Sequence, residues 1–125
     1  MNWKLDPVYK TLEGIAQDAG IRIQYQTVTD DRIDGEIWAR ADCNLNAIMM
    51  PADESAFPDT ETACLILGHE IGHILSTLES TDEPAERRKN EAICDLIGYY
   101  LFQLALRTYE TKIENAIYGR KRDAV

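Results

Sequence analysis

The chain has 125 residues, 45% of them hydrophobic and 28% charged, with a net charge of −9. This is one domain, 1–125, with enough apolar material for a core. The acidic balance opposes direct binding to nucleic-acid backbones and to anionic membrane surfaces, and no uncharged apolar run is long enough to span a bilayer.

The N-terminal stretch Met1–Pro7 has no apolar signal segment, so a cytoplasmic location is expected. Cys43, Cys64 and Cys94 are widely spaced, odd in number and form no Cys-x-x-Cys pair. They read as reduced thiols. Asp6-Pro7 starts a helix, with an acid at the cap and proline at the first helical position. Val8, Leu12, Ile15, Ala16 and Ala19 follow at helical spacing, and Gly20 ends the run.

Ile21–Val28 alternates apolar and polar residues as a half-buried strand does. Asp30–Gly35 is rich in turn formers, Glu36–Arg40 reads as a second strand, and Ala41–Asn46 as a second turn. The acids in these turns lack the ligand spacing of a calcium loop. Ala47–Met50 reads as a third strand stopped by Pro51. Asp59 or Thr60 then caps a helix with Glu61 in its first turn, expected to run to about Leu78.

That helix holds both histidines of the protein, His69 and His73, with Glu70 directly after the first. On a helix, residues four apart share a face, so two imidazoles so placed can hold one metal ion. Glu70 can reach a water beside the ion rather than the ion itself. Ile66, Leu67, Ile71, Ile74 and Leu75 surround the pair, so the helix is expected to be mostly buried. Buried imidazoles need partners.

Glu79–Glu83 is a polar connection, and Pro84 opens another helix that begins charged and turns apolar. Glu91 and Asp95 stand four apart on one face of it, where the charge gives way to Ala92, Ile93, Leu96 and Ile97. Cys94 points about 100° away from Asp95 and reads as core filling. A later helical pattern, Tyr109, Ile113, Ala116 and Ile117, either continues this helix or follows a turn at Arg107-Thr108. Residues 119–125 read as a frayed tail.

His69-Glu70-Ile71-Gly72-His73 followed by Glu91 and Asp95 on the next helix resembles the gluzincin zinc peptidases. More narrowly, the chain from about Val8 to Phe102 resembles the ImmA/IrrE family of bacterial and phage metallopeptidases. The resemblance implies a small single-domain α+β zincin-like fold, with a short three-stranded antiparallel or mixed sheet packed on the His-Glu-x-x-His helix. It implies Zn2+ as cofactor, His69, His73 and Glu91 as its ligands, and Asp95 as the acceptor that orients a ligand histidine, His69 by preference. Glu70 would be the general base. Tyr99, one turn beyond Asp95, is the candidate for a second oxyanion donor; the alternative is a core aromatic. Ile48, Met49 and Met50 are the candidate sheet edge that holds substrate as an added strand; the alternative is a plain core strand. The implied activity is endopeptidase cleavage of a cytoplasmic protein, such as a transcriptional repressor in a phage or mobile-element switch. The competing expectations are a catalytically silent metalloprotease fold that contacts a repressor or other partner, and an acidic protein whose motif is accidental. The sequence sets no oligomeric state.

Overall fold

In the computed structural model, residues 2–26, 39–76 and 82–123 are described, the last four of them as helix backbone. Asp6 and Pro7 start helix α1, Pro7–Asp18, as their chemistry dictates: an Asp6 carboxylate oxygen accepts from the Val8 amide at 2.9 Å. Its other oxygen accepts from the Thr60 hydroxyl at 3.1 Å, tying the start of α1 to the start of a later helix. Gly20 ends the α1 region with φ +81°, a left-handed conformation that costs glycine nothing.

Strand β1, Arg22–Gln26, follows directly. Strands β2, Arg40–Asp42, and β3, Ala47–Pro51, form a hairpin. The sheet is mixed, in the order β1-β3-β2, with β1 parallel to β3 and β2 antiparallel to it. Ile23 and Ala41 both sit opposite Ile48.

Three strand expectations change. The described second strand, β2, runs on past Arg40 through Asp42, because the Asp42 carboxylate accepts from the amides of Asn44 and Leu45 and starts the turn there. Ala41 and Asp42 are thereby strand residues, and Glu36–Trp38 lie outside the described residues. Strand β3 takes in Pro51, since the ladder passes to the next amide, Ala52, which donates to the Gln26 carbonyl at 2.8 Å. Lastly, Ile48, Met49 and Met50 are not a sheet edge. They lie in the central strand: Ile48 and Met49 pair on both sides, Met50 pairs with Tyr25 of β1, and Ile48 and Met50 are fully buried. The most buried strand of the sheet takes the middle place, where its backbone groups are paired by neighbours on both edges.

Helix α2, Thr60–Ser76, is capped by Asp59, whose carboxylate accepts from the Thr62 amide at 2.7 Å. It is buried along Ala63, Cys64, Leu67, Ile71 and Ile74, whereas Leu75 faces solvent. Helix α3, Pro84–Asp123, runs unbroken for 40 residues, with no turn at Arg107-Thr108 and with 119–123 helical rather than frayed. The Glu83 carboxylate caps it by accepting from the amides of Ala85 and Glu86.

The core lies between α1, the sheet, α2 and the middle of α3. Trp3, in a short 3-10 turn, stacks edge-on against Tyr9 and Phe57 with ring centroids 5.0 and 4.9 Å apart. The sequence reading had not placed Trp3 there. Cys94 is fully buried, as its position on the helix wheel required. The architecture is α+β, and no helix among the described residues is long and apolar enough to cross a membrane.

Candidate metal centre

Helices α2 and α3 touch backbone to backbone. A β-carbon on Gly68 would lie 2.7 Å from Gly98 Cα, and one on Gly98 would lie 2.7 Å from the His69 nitrogen. A β-carbon on Gly72 would come within 3.2 Å of Cys94 Cα. Glycine at all three positions lets the helices approach closely enough for short side chains to meet across the crossing. The available signal was the Gly68-x-x-x-Gly72 spacing beside the histidines.

Across this crossing His69 Nε2 stands 2.8 Å from one Glu91 oxygen, and His73 Nε2 stands 3.3 Å from the other. The two Nε2 atoms are 3.1 Å apart. His69 Nδ1 lies 2.7 Å from Asp95 Oδ1. The four residues that sequence spacing nominated therefore meet, two from each helix. Both histidines are mostly buried; the Glu91 side chain is half exposed and that of Asp95 more so.

This geometry has a chemical consequence. A neutral His69 that donates from Nδ1 to Asp95 presents a bare lone pair at Nε2. That lone pair faces the Glu91 carboxylate and the second imidazole. A proton on His69 Nε2 would pair it with Glu91, but a single proton cannot join His69 Nε2, His73 Nε2 and the Glu91 carboxylate together. One metal ion can: tetrahedral bonds of about 2.0–2.1 Å hold their ligand atoms about 3.3 Å apart, close to the separations found. His69, His73 and Glu91 each offer a ligand atom within 4.8 Å of the others and could hold a metal ion. His73 lies in the last turn of α2, where the helix dipole favours positive charge.

Glu70 sits beside this cluster. Burial pushes its carboxyl up to about 7, with Glu91 adding to the rise, while the His69 ring and a hydrogen bond from the Ala41 backbone amide pull it down. Ala41 belongs to β2, so the edge strand of the sheet lies against the glutamate of the motif. Ala41 had read as the start of a turn, and nothing in the sequence tied it to the site, since a backbone amide leaves no side-chain signature. Cys43, in the turn after β2, is exposed, and its thiol donates to the His73 carbonyl at 3.6 Å.

Tyr99 is 55% exposed, so it is not a core aromatic, and its hydroxyl makes no hydrogen bond among the described residues. Ile48, Met49 and Met50 belong to the central strand, and Ile48 and Met49 are paired on both sides.

No protein-family model, curated protein or solved structure matches the chain.

Proposed function

We propose that this chain is a zinc-dependent metallo-endopeptidase of the ImmA/IrrE-like, zincin type, acting on a cytoplasmic protein such as a repressor. The observation that carries the reading is the meeting of His69, His73 and Glu91 with Asp95 on the outer nitrogen of His69. Two imidazoles and one carboxylate are a donor set that suits zinc and leaves one position open. A structural site more often closes its shell with four protein ligands, and it has no use for a partly buried carboxyl such as Glu70 alongside.

A bound zinc ion would supply Lewis acidity and make water a nucleophile near neutral pH. The protein's own groups do the rest. Glu70, with its proton affinity raised towards neutrality, takes a proton from the attacking water and returns it to the departing amine. Asp95 holds His69 in one tautomer and orientation. The Ala41 amide keeps the Glu70 carboxylate aimed. Among the described residues strand β2, not β3, is the sheet edge beside Glu70, and it would carry an extended peptide as an added strand. Tyr99, on the open side one turn past Asp95, offers a hydroxyl to a substrate oxyanion.

One observation favours the second reading, a silent scaffold that binds a repressor or other protein. Leu96 and Tyr100 are 72% and 66% exposed along α3, a surface suited to a protein partner. Glu70 distinguishes the two readings. Metal analysis of the purified chain should find one zinc per molecule. His73→Ala should lose it, and Glu70→Gln should keep it but lose hydrolysis of a co-expressed substrate. Full zinc occupancy in His73→Ala would remove the ligand assignment. Zinc retained with unchanged cleavage in Glu70→Gln would remove the general base.

A further inference from the structure

Helix α3 is longer than the domain needs. Its first half packs on α1 and α2, with Leu101, Phe102 and Ala105 buried. Beyond Arg107 no described residue of α3 is buried, and residues 110–118 are all exposed. The stretch 107–123 is an arm about 25 Å long.

The arm's composition does not explain its helix. Thr108, Tyr109, Thr111, Ile113, Asn115, Ile117 and Gly119 all rank below alanine, leucine and lysine as helix formers. The packed first half of α3 nucleates the arm, but no buried contact among the described residues then holds its exposed turns. What it does have is an apolar stripe. Tyr109, Ile113 and Ile117 recur every four residues, and Ile113 and Ile117 are 42% and 50% exposed.

Two features point to the occupant. The stripe is evenly spaced about Ile113, so a two-fold contact between identical helices can match it to itself. An antiparallel pair centred there sets Ile113 against Ile113 and Tyr109 of each copy against Ile117 of the other. Charge is also divided along the chain. Residues 1–106 carry eight basic and nineteen acidic side chains, whereas 107–125 carry five basic and three acidic. In the antiparallel pair the basic end of each arm runs back toward the acidic body of the other copy. Ile113 follows Asp95 by eighteen residues, about five helical turns, so the stripe and the metal-site carboxylates share one side of α3. The second copy therefore approaches on the site's side.

We propose that the α3 arm pairs antiparallel with the α3 arm of a second copy of this chain through Tyr109, Ile113 and Ile117. The inference is independent of the peptidase reading.

The test is sedimentation equilibrium of the full chain over a concentration series reaching about 1 mM. Twice the 14.2 kDa chain mass is expected. The double variant Ile113→Glu, Ile117→Glu should be monomeric and lose helical circular dichroism, while keeping the metal content and cooperative unfolding of the body. In a Cys43→Ser background, Ile113→Cys should give a disulfide-linked dimer on mild oxidation and Ile117→Cys should not. A monomer at every concentration overturns the proposal and leaves the stripe to a different protein. A dimer that survives the double variant overturns the arm as its interface. Cross-linking through Ile117→Cys overturns the antiparallel arrangement.

Discussion

Gly68 of α2 and Gly98 of α3 pack so closely that a β-carbon on either would lie 2.7 Å from the other helix's backbone. The metal-site residues flank this contact: His69 follows Gly68, and Asp95 stands three residues before Gly98. The spacing of the candidate ligands is thus set by a backbone contact rather than by the ligands.

Gly98→Ala should therefore act on stability and on the site together. The methyl group meets backbone, which cannot rotate away, so the helices must separate. Overpacking of this kind costs about 1–3 kcal/mol. Urea unfolding should show a lower midpoint with an unchanged slope, and zinc titration a weaker affinity. Gly72→Ala, at 3.2 Å from the Cys94 backbone, should have the same sign and a smaller size.

Asp95→Asn should keep the fold, because the side chain is mostly exposed. It replaces a charged acceptor on His69 Nδ1 by a neutral amide. Loss of such a partner typically weakens metal binding about 10–100-fold. Competition with a chromophoric chelator measures the change, and affinity equal to the parent chain would mean that Asp95 does not orient His69.

The metal-free chain should lose stability as pH rises from about 4.5 to about 7. Burial lifts the Glu70 carboxyl from its ordinary 4.5 to about 7 in the folded chain, so folding favours the protonated form. A carboxyl with a raised folded pKa withdraws stability as it ionises, and the loss is complete above the folded value. Thermal unfolding in chelator across that range should show the decline, and Glu70→Gln should flatten it. A metal ion placed beside the carboxylate would oppose the loss, so the zinc-loaded chain should show a shallower slope.

Thiol labelling should separate the cysteines. Cys43 is exposed and should react at once under native conditions. Cys64 is fully buried, and burial pushes its thiol up to about 12; Cys94 is buried and shifted in the same direction. Both should react only on unfolding. A second rapid equivalent without denaturant would show that α2 and α3 part in the native state.

Much of this was legible in the chain. His69 and His73 could be nominated from i, i+4 spacing, because a helix converts that interval into one face whatever surrounds it; the same spacing singled out Glu91 and Asp95 only beside that motif, and their roles came from the family resemblance. The caps Asp6 and Asp59, the end of α1 at Gly20 and the burial of Cys94 followed from local rules of the same kind. Strand order did not. Ile48 to Met50 was offered as an edge, yet pairing with both Arg22–Gln26 and Arg40–Asp42 put it in the centre; sequence periodicity gives a strand's faces but not its neighbours. The unbroken length of α3 was also left open, since the pattern either side of Arg107 fits one helix or two. The closing distance between α2 and α3 belongs to tertiary structure as well. Three glycines marked no chemistry in the sequence, but with no β-carbon they let two backbones touch, and that contact brings ligand atoms 22 and 18 residues apart in the chain to within 2.8 and 3.3 Å.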